Sequence, residues 1–133
     1  MKILVAVALL AHAMIHASWL TPAPPRTADG PAWPFDVARS WLVSGAGLDP
    51  SLARVLAAAL VAATIPCFAV AALATLGWAV PAAAWTGFAI GGAVASLALL
   101  VVFFHPWLVL GIVIDIVILW AAAVLAWSPA DLA

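Results

Sequence analysis

Six residues carry side chains that an apolar chain has little use for unless they do something: His12, His16, Arg39, Ser96, His105 and Asp115. His12 and His16 lie inside an apolar run from Ile3 to Trp19. Spaced i,i+4, they sit about 40° apart around a helix, so both imidazoles can face one point. Asp115 is the only formally charged side chain deep within the long apolar segments, Lys2 and Arg54 lying near segment ends. An aspartate near a bilayer centre costs about 2.5–3.5 kcal/mol, so it must face an interior and find a partner, or be protonated.

Three chemistries fit these residue types. His12, His16 and Asp115 can ligate one divalent metal ion with positions left open, although the sequence shows no fourth protein ligand. A chain of histidine and aspartate can relay protons. The same groups can hydrogen-bond the polar head of a lipid, quinone or other amphipathic ligand. Haem is less natural, because two histidines on one helix cannot approach opposite faces of a macrocycle. Each residue also has a structural use. His12 and His16 can fix helix register through Asp115 and Ser96, and His105, before a proline, suits a helix end. Arg39 can pair locally with Asp36. Ser96 and Thr64 can bond the carbonyl one turn back, and Cys67 suits a small buried hydrophobe.

The chain around these residues is 69% hydrophobic and 7% charged over 133 residues, with a mean hydropathy of +1.30. Soluble domains carry about 25% charged residues, so the polar groups here cannot cover a water-facing surface and a bilayer is the expected solvent. A net charge of −1 gives no long-range attraction to nucleic acid. The single cysteine, Cys67, excludes an internal disulfide. Phosphate-binding glycine loops, CxxC pairs, nucleophile elbows and a lysine for a retinal Schiff base are absent from the sequence.

Four apolar segments, at about 2–20, 50–76, 81–104 and 106–127, must position the polar residues; each exceeds the roughly 17 residues needed to span hydrocarbon. The first resembles a signal peptide with a small-x-small triplet at Ala11-His12-Ala13. Its apolar run continues to Leu20 and its basic leader is minimal, so a retained helix is expected. Prolines 22, 24 and 25 stop it. Loop 21–49 holds Arg26, Asp29, Asp36, Arg39 and Asp49, and residues 36–44 read as a short helix lying flat at a membrane interface. Asp49 and Pro50 are an N-cap and first-turn pair. Gly77 closes the second segment, and Pro66 should kink it. Gly87 and Gly91, with Gly92 and Ser96, form small-residue rows suited to close packing. Tryptophans 19, 33, 41 and 107 fall at one boundary and 78, 85 and 127 at the other, with Trp120 deeper and suited to a core.

Counting along these helices places the chemistry at one depth. His12 and Asp115 come out about 12 Å below the loop-side boundary, Ser96 about 13 Å and His16 about 6 Å, at 1.5 Å per residue. Thr64 lies slightly deeper. His105 and Arg39 sit above them as the expected mouth of a polar path.

The first-helix Leu10-Ala11-His12-Ala13-Met14-Ile15-His16, the loop segment Arg39-Ser40-Trp41-Leu42 and the acidic Asp115 together resemble small four-helix bacterial integral membrane proteins. That resemblance supports the topology and implies no activity. The expected fold is all-α, a single domain over residues 1–133 in the form of a four-helix transmembrane bundle with one interfacial helix. The expected setting is the cell membrane, multi-pass, with both termini cytoplasmic. Lys2 and the signal-anchor character of the first helix favour that orientation, whereas Arg26, Arg39 and Arg54 around the loop weigh against it. The expected function is a buried site of His12, His16 and Asp115 that binds a metal ion or a polar head group, or handles protons. The competing expectation is a small accessory subunit of a larger membrane complex, or a homo-oligomer, with structural polar residues only.

Overall fold

The computed structural model describes residues 1–25 and 32–132. Arg26 and Asp29 lie outside the described residues. The described chain is all-helical, without strands. Helix α1 spans Lys2–His16 and tightens into a 3-10 turn at Ala17–Leu20; α2 is a single turn at Trp41–Ser44. Helix α3 spans Pro50–Leu76, α4 Trp85–Val102 and α5 Val109–Leu119. Four of the helical segments are long and apolar enough to cross a bilayer: Lys2–Leu20, Pro50–Leu76, Ala82–Val102 and Pro106–Val124.

The ends of these helices follow their local sequence. The Asp49 carboxylate accepts from the backbone N–H of Ser51 at 2.8 Å and of Leu52 at 3.3 Å, and from the Ser51 hydroxyl. Pro50 fills the first helical position, where no N–H is needed. Gly77 adopts φ +65, and the N–H groups of Gly77 and Trp78 return to the carbonyls of Ala74 and Leu73, the double bond that ends a helix on a left-handed residue. Helix α3 continues through Pro66. Helices α4 and α5 are shorter than the apolar runs that contain them. Each is entered by a 3-10 turn, Ala82–Ala84 and Pro106–Leu108, because proline leads each run; α5 then widens into a π-helical turn at Trp120–Val124.

The Ser51 hydroxyl, followed by the backbone N–H groups of Ser51 and Leu52, holds the Asp49 carboxyl below its ordinary value of 3.8. A carboxylate favoured by folding contributes in full above that ordinary value, and the contribution is lost as pH falls through the lowered one. Asp49→Ala is therefore expected to lower the unfolding temperature in detergent at neutral pH. Asp49→Asn, which keeps an acceptor oxygen, should retain most of the cap and lose its acid dependence.

The loop segment is not one helix. A 3-10 turn at Val37–Arg39 is separated from α2 by Ser40, whose backbone is extended at ψ 153 and whose hydroxyl donates to the Val37 carbonyl at 2.8 Å. The break turns the two halves apart. Val37 is buried against α3, whereas Trp41 is exposed.

Helices α3 and α4 form the central pair, α1 lies against α3, and α5 against α4. Two apolar clusters hold them. One gathers Ala6, Leu9 and Ala13 with Phe68, Ala71, Trp85, Ala89, Ala93 and Ala122. The other, toward the loop, gathers Trp19, Val37, Ala53, Ala57, Val61, Leu99, Phe103 and Leu108. Trp19 packs edge-on against Phe35, and Trp85 against Trp127, so these tryptophans are core residues as much as boundary markers. Trp120, expected in the core, is 55% exposed. It shares the outer face of the last helix with Val113, Ile116 and Val117. Along α4 and α5, Ser96 and Asp115 fall between residues of the two clusters, which places the polar level in the seam between two greasy plugs.

Candidate polar site

Helix α1 turns both imidazoles inward. His16 is buried and His12 nearly so, with ring centroids 5.1 Å apart, edge to face. Asp115 on α5 is fully buried, and the His12 Nε2–H donates to its Oδ1 at 2.9 Å. Ser96 on α4 joins the second histidine to the same carboxylate. Its Oγ–H donates to Asp115 Oδ2 at 2.5 Å, and its Oγ lies 2.8 Å from His16 Nε2.

A hydroxyl has one proton, which fixes the direction of this chain. The Ser96 hydroxyl directs that proton to Asp115 Oδ2, 2.5 Å away. Ser96 therefore donates to Asp115 and accepts from His16, so His16 carries its proton on Nε2 and leaves Nδ1 bare. That Nδ1 is buried and has no hydrogen-bond partner among the described residues. A carboxylate here thus accepts from donors on two other helices, which answers the cost of burying it.

Apolar neighbours hold the polar groups in place. The Phe68 ring stands edge-on to His12 at 5.2 Å. Behind Phe68 lies Gly92: a Cβ there would stand 3.0 Å from Phe68 Cδ1 and 3.2 Å from Cys67 Cβ, so a bare backbone is what lets α3 and α4 close up at this level. Gly111, one turn before Asp115, lets Leu100 pack against α5, since a Cβ there would stand 2.9 Å from Leu100 Cδ1 and 3.8 Å from His12 Cε1. Gly87 has nothing within 4 Å and Gly91 only an ordinary 3.6 Å contact with Cys67 Sγ, so the close approach belongs to Gly92 and not to the GxxxG pair.

The structure brings together His12, His16, Ser96 and Asp115 and gives the other candidates local partners. Thr64 donates to the Leu60 carbonyl at 2.8 Å, one turn back on its own helix. His105 Nδ1 accepts from the Trp107 backbone N–H at 3.3 Å and caps the turn that enters α5. Arg39 Nε pairs with Asp36 at 3.2 Å on an exposed surface. Phe68 and Gly92 are the site residues that sequence reasoning passed over as ordinary packing. A metal would need His12, His16 and Asp115 to aim at one point, but Nε2 of each histidine is directed into the hydrogen-bonded chain. Among the described residues no group of three or more histidine, cysteine, aspartate or glutamate side chains is placed to hold a metal ion.

No protein-family model, curated protein or solved structure matches this chain. The chemistry of the site therefore rests on its own geometry. A cavity of about 220 Å³ opens along the seam between α1 and α5, lined by His12, His16, Phe35, Trp107, Gly111 and Ile114 among others. A larger cavity of about 450 Å³, beside Trp19, Asp36 and Arg54, is lined by none of the four polar residues.

Proposed function

We propose that this chain is a multi-pass membrane protein whose buried His12–Asp115–Ser96–His16 chain takes up and releases a proton. The observation that carries the reading is the unbroken run of three hydrogen bonds, 2.9, 2.5 and 2.8 Å long, between side chains on α1, α4 and α5. Its four long helices would cross the bilayer with both termini on the cytoplasmic side. Their outward residues, such as Ile3, Leu4, Val55, Val94, Val101 and Leu110, are apolar and suited to lipid.

Counting protons supports the reading. With Asp115 ionised and both histidines neutral, the site carries one negative charge in a low-dielectric interior. A proton arriving at His16 Nδ1 can be absorbed without moving a heavy atom. His16 Nε2 hands its proton to Ser96, Ser96 hands its own to Asp115 Oδ2, and all three hydrogen bonds survive, the two at Ser96 with their direction reversed. The site is then neutral. Running the same transfers backward returns a proton to His16 Nδ1, while His12 Nε2, which already holds its own proton, keeps donating to Oδ1.

The test is an acid titration of the detergent-solubilised protein, followed by infrared absorption of the protonated carboxyl and by ¹⁵N resonances of labelled histidine. Acidification should protonate Asp115 and move the His16 proton from Nε2 to Nδ1 in one concerted step. Ser96→Ala should separate the two changes while leaving the fold intact. A carboxyl that never changes protonation between mildly alkaline and mildly acidic pH, or a Ser96→Ala protein that titrates like the parent, contradicts the proposal.

A further inference from the structure

Helix α1 packs on α3 and α5 on α4, and α1 and α5 meet across the His12–Asp115 bond with little other contact. The cavity of about 220 Å³ lies in the gap between them. Two of its lining residues, Ile15 on α1 and Leu110 on α5, are 53% and 70% exposed, so its mouth is on the outer face of the helices, where lipid would be. Within, Phe35, Trp107 and Ile114 make the wall apolar, and no charged side chain among the described residues lines it. His12 stands in that wall and keeps 5% of its surface, whereas Ser96 and Asp115 keep none. A Cβ on Gly111 would stand 3.8 Å from His12 Cε1, the ring carbon between the two nitrogens, so this edge of the imidazole is turned toward α5 and the cavity. Nε2 is engaged by Asp115. Nδ1 has no partner among the described residues and, unlike the sealed Nδ1 of His16, keeps accessible surface.

We infer that this cavity admits a neutral, lipid-soluble alcohol from the bilayer, whose hydroxyl donates to His12 Nδ1. Each part of that ligand follows from the lining. A neutral imidazole that donates from Nε2 can only accept at Nδ1, so the head must be a donor. A phosphate or ammonium head would leave its charge against an apolar wall without a counter-ion, so the head is uncharged. The volume, about 220 Å³, exceeds the roughly 150 Å³ known to hold benzene in a dry protein interior, so the head has room for a ring. Any tail can stay in the lipid beyond Ile15 and Leu110. The inference goes beyond proton uptake and takes from the proposed function only the membrane setting. It needs His12 to hold its proton on Nε2 and asks nothing of Ser96 or His16.

The experiment uses the full chain in detergent, with ¹⁵N-labelled histidine and two probes, benzyl alcohol and its methyl ether, their concentrations counted within the micelle. The alcohol should move the His12 Nδ1 resonance saturably and leave those of His105 unmoved. The ether, which cannot donate, should leave His12 Nδ1 where it was and bind about tenfold more weakly, the value of one hydrogen bond. Ile114→Trp, which enlarges a side chain of the wall, should abolish the alcohol's shift. The comparison of probes needs only the parent protein, so it decides the matter even where that variant folds poorly. Equal affinity for the two probes, or a His12 shift that never saturates, overturns this inference and leaves the proton relay standing. A resting His12 that carries its proton on Nδ1 overturns both, since Asp115 would then have to hold the proton between them.

Discussion

Asp115→Asn is expected to fold as the parent does and to turn over the proton on His16. An asparagine oxygen can still accept from His12, but its amide nitrogen can only donate. Placed against Ser96, that nitrogen makes the Ser96 oxygen an acceptor and drives the hydroxyl proton toward His16 Nε2. His16 must then carry its own proton on Nδ1. The three hydrogen bonds, 2.9, 2.5 and 2.8 Å long in the parent, are all kept, with both bonds at Ser96 reversed in direction. Proton uptake is lost, because a carboxamide does not titrate. Asp115→Ala behaves differently. It strands the His12 N–H and the Ser96 hydroxyl in a sealed interior, at about 1–3 kcal/mol for each unsatisfied group. Polar pairs inside membrane proteins are often worth less, nearer 0.6 kcal/mol, because the unfolded chain in lipid finds other partners. Here three helices converge on one carboxylate, and a loss of about 2–4 kcal/mol is expected. Denaturant titration in detergent and ¹⁵N spectra of the histidines measure both variants. An Asp115→Asn protein whose His16 keeps its Nε2 proton would falsify the assigned direction.

Neighbouring glycines on α4 are expected to respond with opposite signs. A Cβ on Gly91 would meet Cys67 Sγ at 3.6 Å, an ordinary contact. Gly91→Ala should therefore show the helix preference of alanine and gain about 0.5–1 kcal/mol. A Cβ on Gly92 would sit 3.0 and 3.1 Å from two atoms of the Phe68 ring. Phe68 is fully buried and has His12 at its other edge, so it has little room to retreat. Gly92→Leu adds three further carbons to that contact and should cost about 1–3 kcal/mol or more through overpacking. It should also disturb the His12 resonance, because the ring that is displaced is the one packed on that imidazole. A Gly92→Leu protein as stable as the parent would mean that α3 and α4 do not approach closely at this level.

The level of the site was legible before any side chain was placed. Helical rise per residue hardly depends on sequence, so counting from the ends sufficed to bring His12, Ser96 and Asp115 to one depth. Direction around each helix was harder to read. Helices α3 and α4 are apolar on nearly every face, so no polar stripe marks which side is inside. That is why Thr64 and Ser96 looked alike, although Thr64 bonds its own helix and Ser96 bridges two others. One signal was available and passed over. Trp120 lies about 140° around from Asp115 at 100° per residue, which places it away from the buried face. The proposed mouth failed to form for a local reason. Asp36 is three residues from Arg39, and the Trp107 N–H is two from His105, so each side chain found a partner before it could reach the site. The short segment at 36–44 broke because Ser40 bonds back to Val37, a competition that apolar periodicity does not register.

The His12–Asp115 bond joins residues 103 apart, the first long helix to the last. At a synthesis rate of about 5–20 residues per second, His12 is made roughly 5–20 s before its carboxylate exists. The His16 partner, Ser96, is made sooner, so His12 is the imidazole that waits for the whole interval. Closing the bond is a late, long-range event, of the kind whose loop-closure entropy slows assembly. A ribosome-stalled chain that stops before residue 115 therefore lacks the clasp between its first and last long helices.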